Sequence, residues 1–264
     1  MRAVLGWRTL ALGRYVLGLG VLTLGAVNLA WGDFDAAAPV PANVPGRAAL
    51  VYIAAVFLMA VGAAVMWRRF AAWAGAAIAI YFGLIIVVLL DGPTIVAHVA
   101  AFDSYNGTAE QLAIAMGGLI VWAMSAQIAA ARVIRVAQIV FGICAIVFGL
   151  AHFIYMNLTA PLVPSWLAPN QMFWGYATGV FHIAAGVALI TGVQARAAAI
   201  LLTIMYAAFT PLVHVPILLA GHTTHFNWSE NAENIALTGV AWTIADSLAR
   251  FAQLPFRVRI PRMR

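Results

Sequence analysis

The sequence predicts an all-α polytopic membrane protein: eight transmembrane helices arranged as two tandem, parallel four-helix bundles. Three observations predict it. Of 264 residues, 65% are hydrophobic and only 8% are charged, where a soluble domain carries about 25% charge. The apolar residues fall in runs of about 20, the length that crosses a bilayer core. The chain also matches itself when shifted by half its length. Disorder, collagen and a disulfide scaffold are excluded by the same composition. Cys144 stands alone, so no internal disulfide or CxxC relay forms. All 14 basic residues are Arg, which rules out a lysine Schiff base and with it a retinal pigment.

The spans are predicted over 12–32, 47–67, 70–92, 108–131, 134–156, 171–192, 195–220 and 231–250. The first follows Arg2, Arg8 and Arg14 as a signal peptide would. It is longer than the roughly 7–15 apolar residues of such a peptide, and no small-x-small site follows, so it reads as a span. Charges then order the rest. With the N-terminus inside, the inner segments hold those three Arg, then Arg68 and Arg69, Arg132 and Arg135, Arg196, Arg250 and the Arg of the tail. Arg47 alone falls outside. The outer segments hold Asp33, Asp35, Asp91, Asp103, Glu110, Glu230 and Glu233. Every loop obeys the positive-inside rule, which supports an even number of spans and both termini in the cytoplasm. The basic residues sit at helix ends without interleaved aromatics, so nucleic acid is not the expected partner. The lipid bilayer is, and the tail PFRVRIPRMR suits anionic head groups at about 1 kcal/mol per Arg.

A shift of 124 residues brings the halves into register. Gly18 and Gly25 land on Gly142 and Gly149, Pro45 on Pro169, Tyr52 on Tyr176, Phe57 on Phe181, Gly62 on Gly186, His98 on His222 and Phe102 on Phe226. After a one-residue gap, Ala109-Glu110 meets Ala232-Glu233. Four spans return the chain to its starting side, so the two units share one orientation. The organisation expected is a first, degenerate unit over 1–132, a second unit over 133–250 and a basic tail over 251–264.

Ionisable groups inside a membrane are costly and mark function by default. They concentrate in the second unit: His152, His182 and His214 in spans five to seven, His222 and His225 after span seven, then Glu230, Asn231, Glu233 and Asn234. The matching positions of the first unit are mostly bland: His182 faces Leu58 and His214 faces Leu90. His152 and His214 fall at similar depth, while His182 lies near mid-membrane. Three stripes converge: Gln171, Thr178 and His182; Tyr206, Thr210 and His214; Glu230, Asn234 and Thr238. Pro211 and Pro216 free carbonyls that are tolerated where they line a cavity. The expected site is a polar pocket open to the outer side. His152, His182 and His214, with Trp174, Tyr176 and Asn234, would bind a cofactor or head group. His182 and Glu230 would be the catalytic pair. His222-x-x-His225 is loosely metal-like, although it matches no standard ligand spacing. Glu110 and Glu233 also fit ordinary first-turn acids favoured by the helix dipole.

From Ala151 to about Leu202 the second unit resembles the DoxX family of small four-span membrane proteins. AHFIYMN ends a helix, APLVPSWLAP forms a Pro-containing outer loop, and GVFHIAAGVALITG and VQARAAAILL follow. Gly179, Gly186, Gly192 and Arg196 occupy motif positions, and His182 stands where the family commonly carries Glu. The first unit resembles the family more weakly, through Val44-Pro45, Gly62 and Arg68-Arg69. The resemblance implies an inner-membrane protein with a quinone-linked or other redox role and a membrane or periplasmic redox partner. Quinone leads as cofactor, ahead of heme b and a metal ion; a membrane oxidoreductase subunit is the enzyme class implied. A small-molecule transporter and a scaffold for a periplasmic partner stand as alternatives.

Overall fold

A computed structural model describes residues 11–35, 40–127 and 130–252, and all of their regular structure is helical. Eight long helices make it up: α1 (Gly13–Trp31), α2 (Arg47–Met66), α3 (Ala71–Ala97), α4 (Phe102–Ala126), α5 (Ala130–Ile154), α6 (Gln171–Thr191), α7 (Ala195–Leu219) and α8 (His225–Ala252). The basic tail and the first arginines, Arg2 and Arg8, lie outside the described residues, as does the expected contact of the tail with lipid. By length and composition, α1 to α7 are each able to cross a membrane. Their exteriors carry large apolar side chains such as Trp73, Val96 and Leu219, each about four-fifths exposed. Water disfavours so apolar an exterior, and lipid accepts it.

α8 is the longest of the eight and the least apolar. Its place explains this. It packs against α1, α4 and α7, so protein rather than lipid covers it. Its polar residues Ser229, Glu233, Asn234, Thr238, Asp246 and Ser247 are all buried. A helix sheathed by protein can hold such groups where a lipid-facing one cannot. The same cover lets α4 and α8 begin six residues before the starts expected from hydropathy. Phe102–Gly107 and His225–Glu230 are polar but helical, because the apolar run marks only part of each helix.

Neighbour relations recur along the chain. α1 packs on α2, α2 on α3, and α3 on α4; α5 packs on α6, α6 on α7, and α7 on α8. α4 meets α5, α8 meets α1, and α4 and α8 touch each other. Glycines make the close crossings, as small residues do in membrane helix pairs. A Cβ on Gly18 would stand 2.5 Å from the Gly62 carbonyl oxygen, and one on Gly142 2.8 Å from that of Gly186. One on Gly25 would stand 2.6 Å from the Ala55 oxygen, and one on Gly149 2.7 Å from that of Gly179. Both pairs of crossings keep the 124-residue step. Gly239 lies against the backbone of Leu17, Gly20 against Ala236 and Gly13 against Thr243, so α1 and α8 run antiparallel. The start of α1 and the end of α8 therefore share one end of the molecule. There Asp246, the one acid expected inside, accepts from the Gly13 N–H at 3.3 Å. Arg135 of α5 donates to the Leu189 and Ile190 carbonyls at 3.0 and 2.6 Å, closing the end of α6.

At the opposite end, Arg47 explains its own exception to the charge pattern. Its guanidinium lies 2.7 Å from Asp33 and donates to the Val40 carbonyl. This hydrogen bond holds the Asp33 carboxyl below the usual carboxylate range.

Two helices change register partway. α3 is π-helical over Ile80–Asp91 and α7 over Thr210–His214. The second stretch, carried back 124 residues, falls inside the first.

Candidate functional site

His182 is buried on α6. Its Nδ1 lies 3.0 Å from the Thr178 carbonyl oxygen. A carbonyl only accepts, so Nδ1 carries the proton and Nε2 keeps a lone pair. Three rings surround it: His152 of α5 with centroids 5.4 Å apart, Tyr206 of α7 at 5.5 Å, and Phe148 at 6.1 Å. Close approach of α5 to α6 makes this possible, since a Cβ on Gly179 would meet His152 Cβ at 2.9 Å. Two polar atoms beside His182 are buried without hydrogen-bond partners, His152 Nδ1 and the Tyr206 hydroxyl. Orphaned buried polar atoms are rare because each costs about 1–3 kcal/mol. A ligand offering a hydrogen-bonding oxygen would relieve both.

A second polar group lies beyond Tyr206. Oxygens of Glu110, Glu230 and Glu233 all stand within 4.8 Å of one another. Gln111 donates to Glu233 at 2.6 Å, and Asn106 donates to Glu110 at 2.9 Å. Asp35, buried at the end of α1, bears electrostatically on all three glutamates. Glu110 also lies within Coulombic reach of the Tyr206 phenol. Polar residues thus run from His152 through His182 and Tyr206 to a carboxylate cluster between α4 and α8. The glutamates are not first-turn acids: Phe102 to Glu110 and His225 to Glu233 are equal steps that place both in the third turn.

Asn234 joins this line to the break in α7. Its Nδ2 donates to the Tyr206 carbonyl at 3.0 Å and to Thr210 Oγ1 at 2.9 Å. In the π register that carbonyl would pair with the amide of residue 211, which is proline and has none to give. Asn234 supplies the missing donor. Asn234→Ala leaves the carbonyl unpaired and is expected to destabilise the protein by about 1–3 kcal/mol. Thermal unfolding in detergent measures this, and an unchanged midpoint would refute the role.

The remaining candidates sit elsewhere. His214 is half-buried in the π turn and makes no ring contact with His152 or His182 among the described residues. Trp174 and Tyr176 are 37% and 42% exposed; Trp174 donates to the Ala168 carbonyl and Tyr176 packs on Phe153. His222 is exposed in the loop before α8. His225 stacks on Trp31 at 5.6 Å, with Nε2 3.3 Å from Asn28 Oδ1. Hydropathy reading passed over Asp35, Gln111 and Asn106. Two signals pointed to this place: Glu230 at the head of a polar stripe, and an acid kept in both halves, at Glu110 and Glu233.

Comparison with known proteins gives one family. Residues 141–244 match the model of a domain of unknown function, DUF8561, over less than half of the chain. No curated protein matches the chain. No solved structure matches it either.

Proposed function

We propose that this is an eight-span inner-membrane protein built from two tandem DoxX-like four-helix units, with both termini cytoplasmic. Its second unit carries a quinone-linked redox site toward the outer side. Several observations support the two-unit plan: the repeated neighbour relations, the glycine crossings that keep a 124-residue step, and the π stretches at matching positions. The family match over 141–244 also falls within the second unit. α8 counts as the eighth span, polar because protein encloses it.

One observation carries the functional reading: His152 Nδ1 and the Tyr206 hydroxyl are buried, unpartnered and adjacent to His182. A quinone head group has two carbonyls that accept hydrogen bonds and, on reduction, become hydroxyls that donate them. Tyr206 can donate to such an oxygen; His182 Nε2 can accept, and so can His152 Nδ1, because the His152 ring already donates to the Gly175 backbone. The quinone supplies the electron chemistry when bound. The chain's own residues orient the head group and exchange protons with it, and Glu110, Glu230 and Glu233 extend that proton route toward the outer end. Imidazole suits this work because one ring nitrogen donates a hydrogen bond while the other accepts.

The test is lipid extraction of the detergent-purified protein, with oxidised and dithionite-reduced spectra on the same sample. We expect bound quinone, depleted in His152→Ala. Absence of quinone, with no quenching of tryptophan fluorescence by an added short-chain quinone, would overturn the proposal. The register breaks in α3 and α7 favour a transporter as the second reading, because broken helices line substrate paths in many carriers. Counterflow in proteoliposomes separates the two.

A further inference from the structure

We infer that Glu110, Glu230 and Glu233 form a binding site for one hard divalent cation, clamped between α4 and α8. The inference shares the three glutamates and the Tyr206 hydroxyl with the quinone reading, but it uses neither His152 nor His182 and needs no bound quinone.

The donor set argues for it first. All three side chains offer carboxylate oxygens, the ligands that oxygen-seeking cations such as Ca²⁺, Mn²⁺ and Mg²⁺ prefer. Oxygens within 4.8 Å of one another fit around a single ion bound at about 2.3–2.6 Å, the range of Ca²⁺. Charge argues for it next. Glu233 is buried and Glu110 and Glu230 are partly buried. Among the described residues, the groups that bear on the three are Asp35, each other, and the neutral amides of Asn106 and Gln111, with no basic side chain. Clustered carboxylates repel strongly in a low-dielectric interior. A bound cation cancels that repulsion in one step.

Two further groups point to a ligand rather than to a mere acidic patch. Ser229 is 1% exposed, and its Oγ has no hydrogen-bond partner. It lies one turn before Glu233 on the same face of α8, where i and i+4 side chains stand together. The Tyr206 hydroxyl, on a residue 2% exposed, is also unpartnered and lies within Coulombic reach of Glu110. Both are oxygen atoms that a cation or its bound water would satisfy. Gln111 and Asn106 hold Glu233 and Glu110 each by one oxygen. Such hydrogen bonds fix ligand orientation in the manner of metal-site supports.

The site also has a structural consequence. Glu110 belongs to α4, and Glu230 and Glu233 belong to α8, so one ion ties together the last helices of the two halves. Binding to the folded state then raises its stability by mass action.

The experiment uses the full-length protein, purified in detergent, stripped with EDTA and held at pH 7.5. Thermal unfolding is followed by tryptophan fluorescence with Ca²⁺, Mg²⁺ or Mn²⁺ added singly. We expect the midpoint to rise by roughly 5–10 °C at saturating concentration of the preferred ion. Most of that rise should be lost in Glu110→Gln and in Glu230→Gln. Without cation, these variants should unfold no lower than wild type, since each puts a neutral amide of the same shape in place of a crowded carboxyl. Metal analysis of unstripped wild type supplies a reading that needs no variant, with about one ion per chain expected. A wild-type midpoint indifferent to all three ions, together with no bound metal, overturns the inference. So does a shift that survives undiminished in both variants. His182→Leu should keep the full cation response, so failure of the quinone site and failure of this one are told apart.

Discussion

Gly239→Leu should abolish the folded protein, and Gly239→Ala should lower its stability by roughly 3 kcal/mol or more. The reason is what the new side chain would meet. At Gly239 the nearest atoms are the Leu17 backbone nitrogen and Cα and the Val16 carbonyl carbon, all closer than a real Cβ tolerates. A flexible side chain could rotate away, but a backbone cannot. α1 and α8 would have to part along a seam that also places Gly20 on Ala236 and Gly13 on Thr243. Gly92 is the control. A Cβ there meets only the Val87 carbonyl oxygen at 3.6 Å, and its backbone is already right-handed helical at φ −52°. Gly92→Ala should therefore unfold within a few degrees of wild type. Equal midpoints for Gly239→Ala and Gly92→Ala would mean that α1 and α8 are not seated as described.

The second large effect is on binding rather than folding. His182→Leu installs the residue that the first half carries at the matching position, Leu58. Leu58 is 1% exposed and faces Gly25, while His182 faces Gly149 across an equivalent crossing. The helix pair α5–α6 can therefore take leucine without strain. The Thr178 carbonyl, the partner of His182 Nδ1, lies within the regular helix Gln171–Thr191 and keeps its main-chain bond, so the loss of the ring leaves no buried group unpaired there. We expect an unchanged or raised midpoint, with affinity for a short-chain quinone weakened about 10–100-fold, the cost of about 1–3 kcal/mol for one lost buried hydrogen bond. Quinone affinity equal to wild type in a well-folded His182→Leu protein would remove His182 from the site.

Much of the helical plan was legible in the sequence. α2 and α6 begin and end within a residue of their hydropathy limits, because their exposed faces are apolar from end to end and the apolar run is the helix. α4 and α8 were misjudged for the converse reason: their first turns are polar and face protein. The site was legible as a set of residues but not as contacts. His152 was expected at the depth of His214, yet its ring meets His182. Depth along a helix can be counted from sequence, whereas rotation about the axis and the stagger of neighbouring helices depend on packing. Glu110 shows the same limit. It reads as a first-turn acid until the step of eight residues from Phe102 places it opposite Glu233.

The seam between α1 and α8 bears on biogenesis. α1 emerges from the ribosome first of the described helices and α8 last, and chains build structure from the N-terminus as they are made. Until synthesis ends, α1 has α2 beside it while the face on which Gly13 and Gly20 meet Thr243 and Ala236 in the finished protein awaits a partner not yet translated. Closure of the molecule is thus deferred to the end of translation. An interrupted chain leaves that face open.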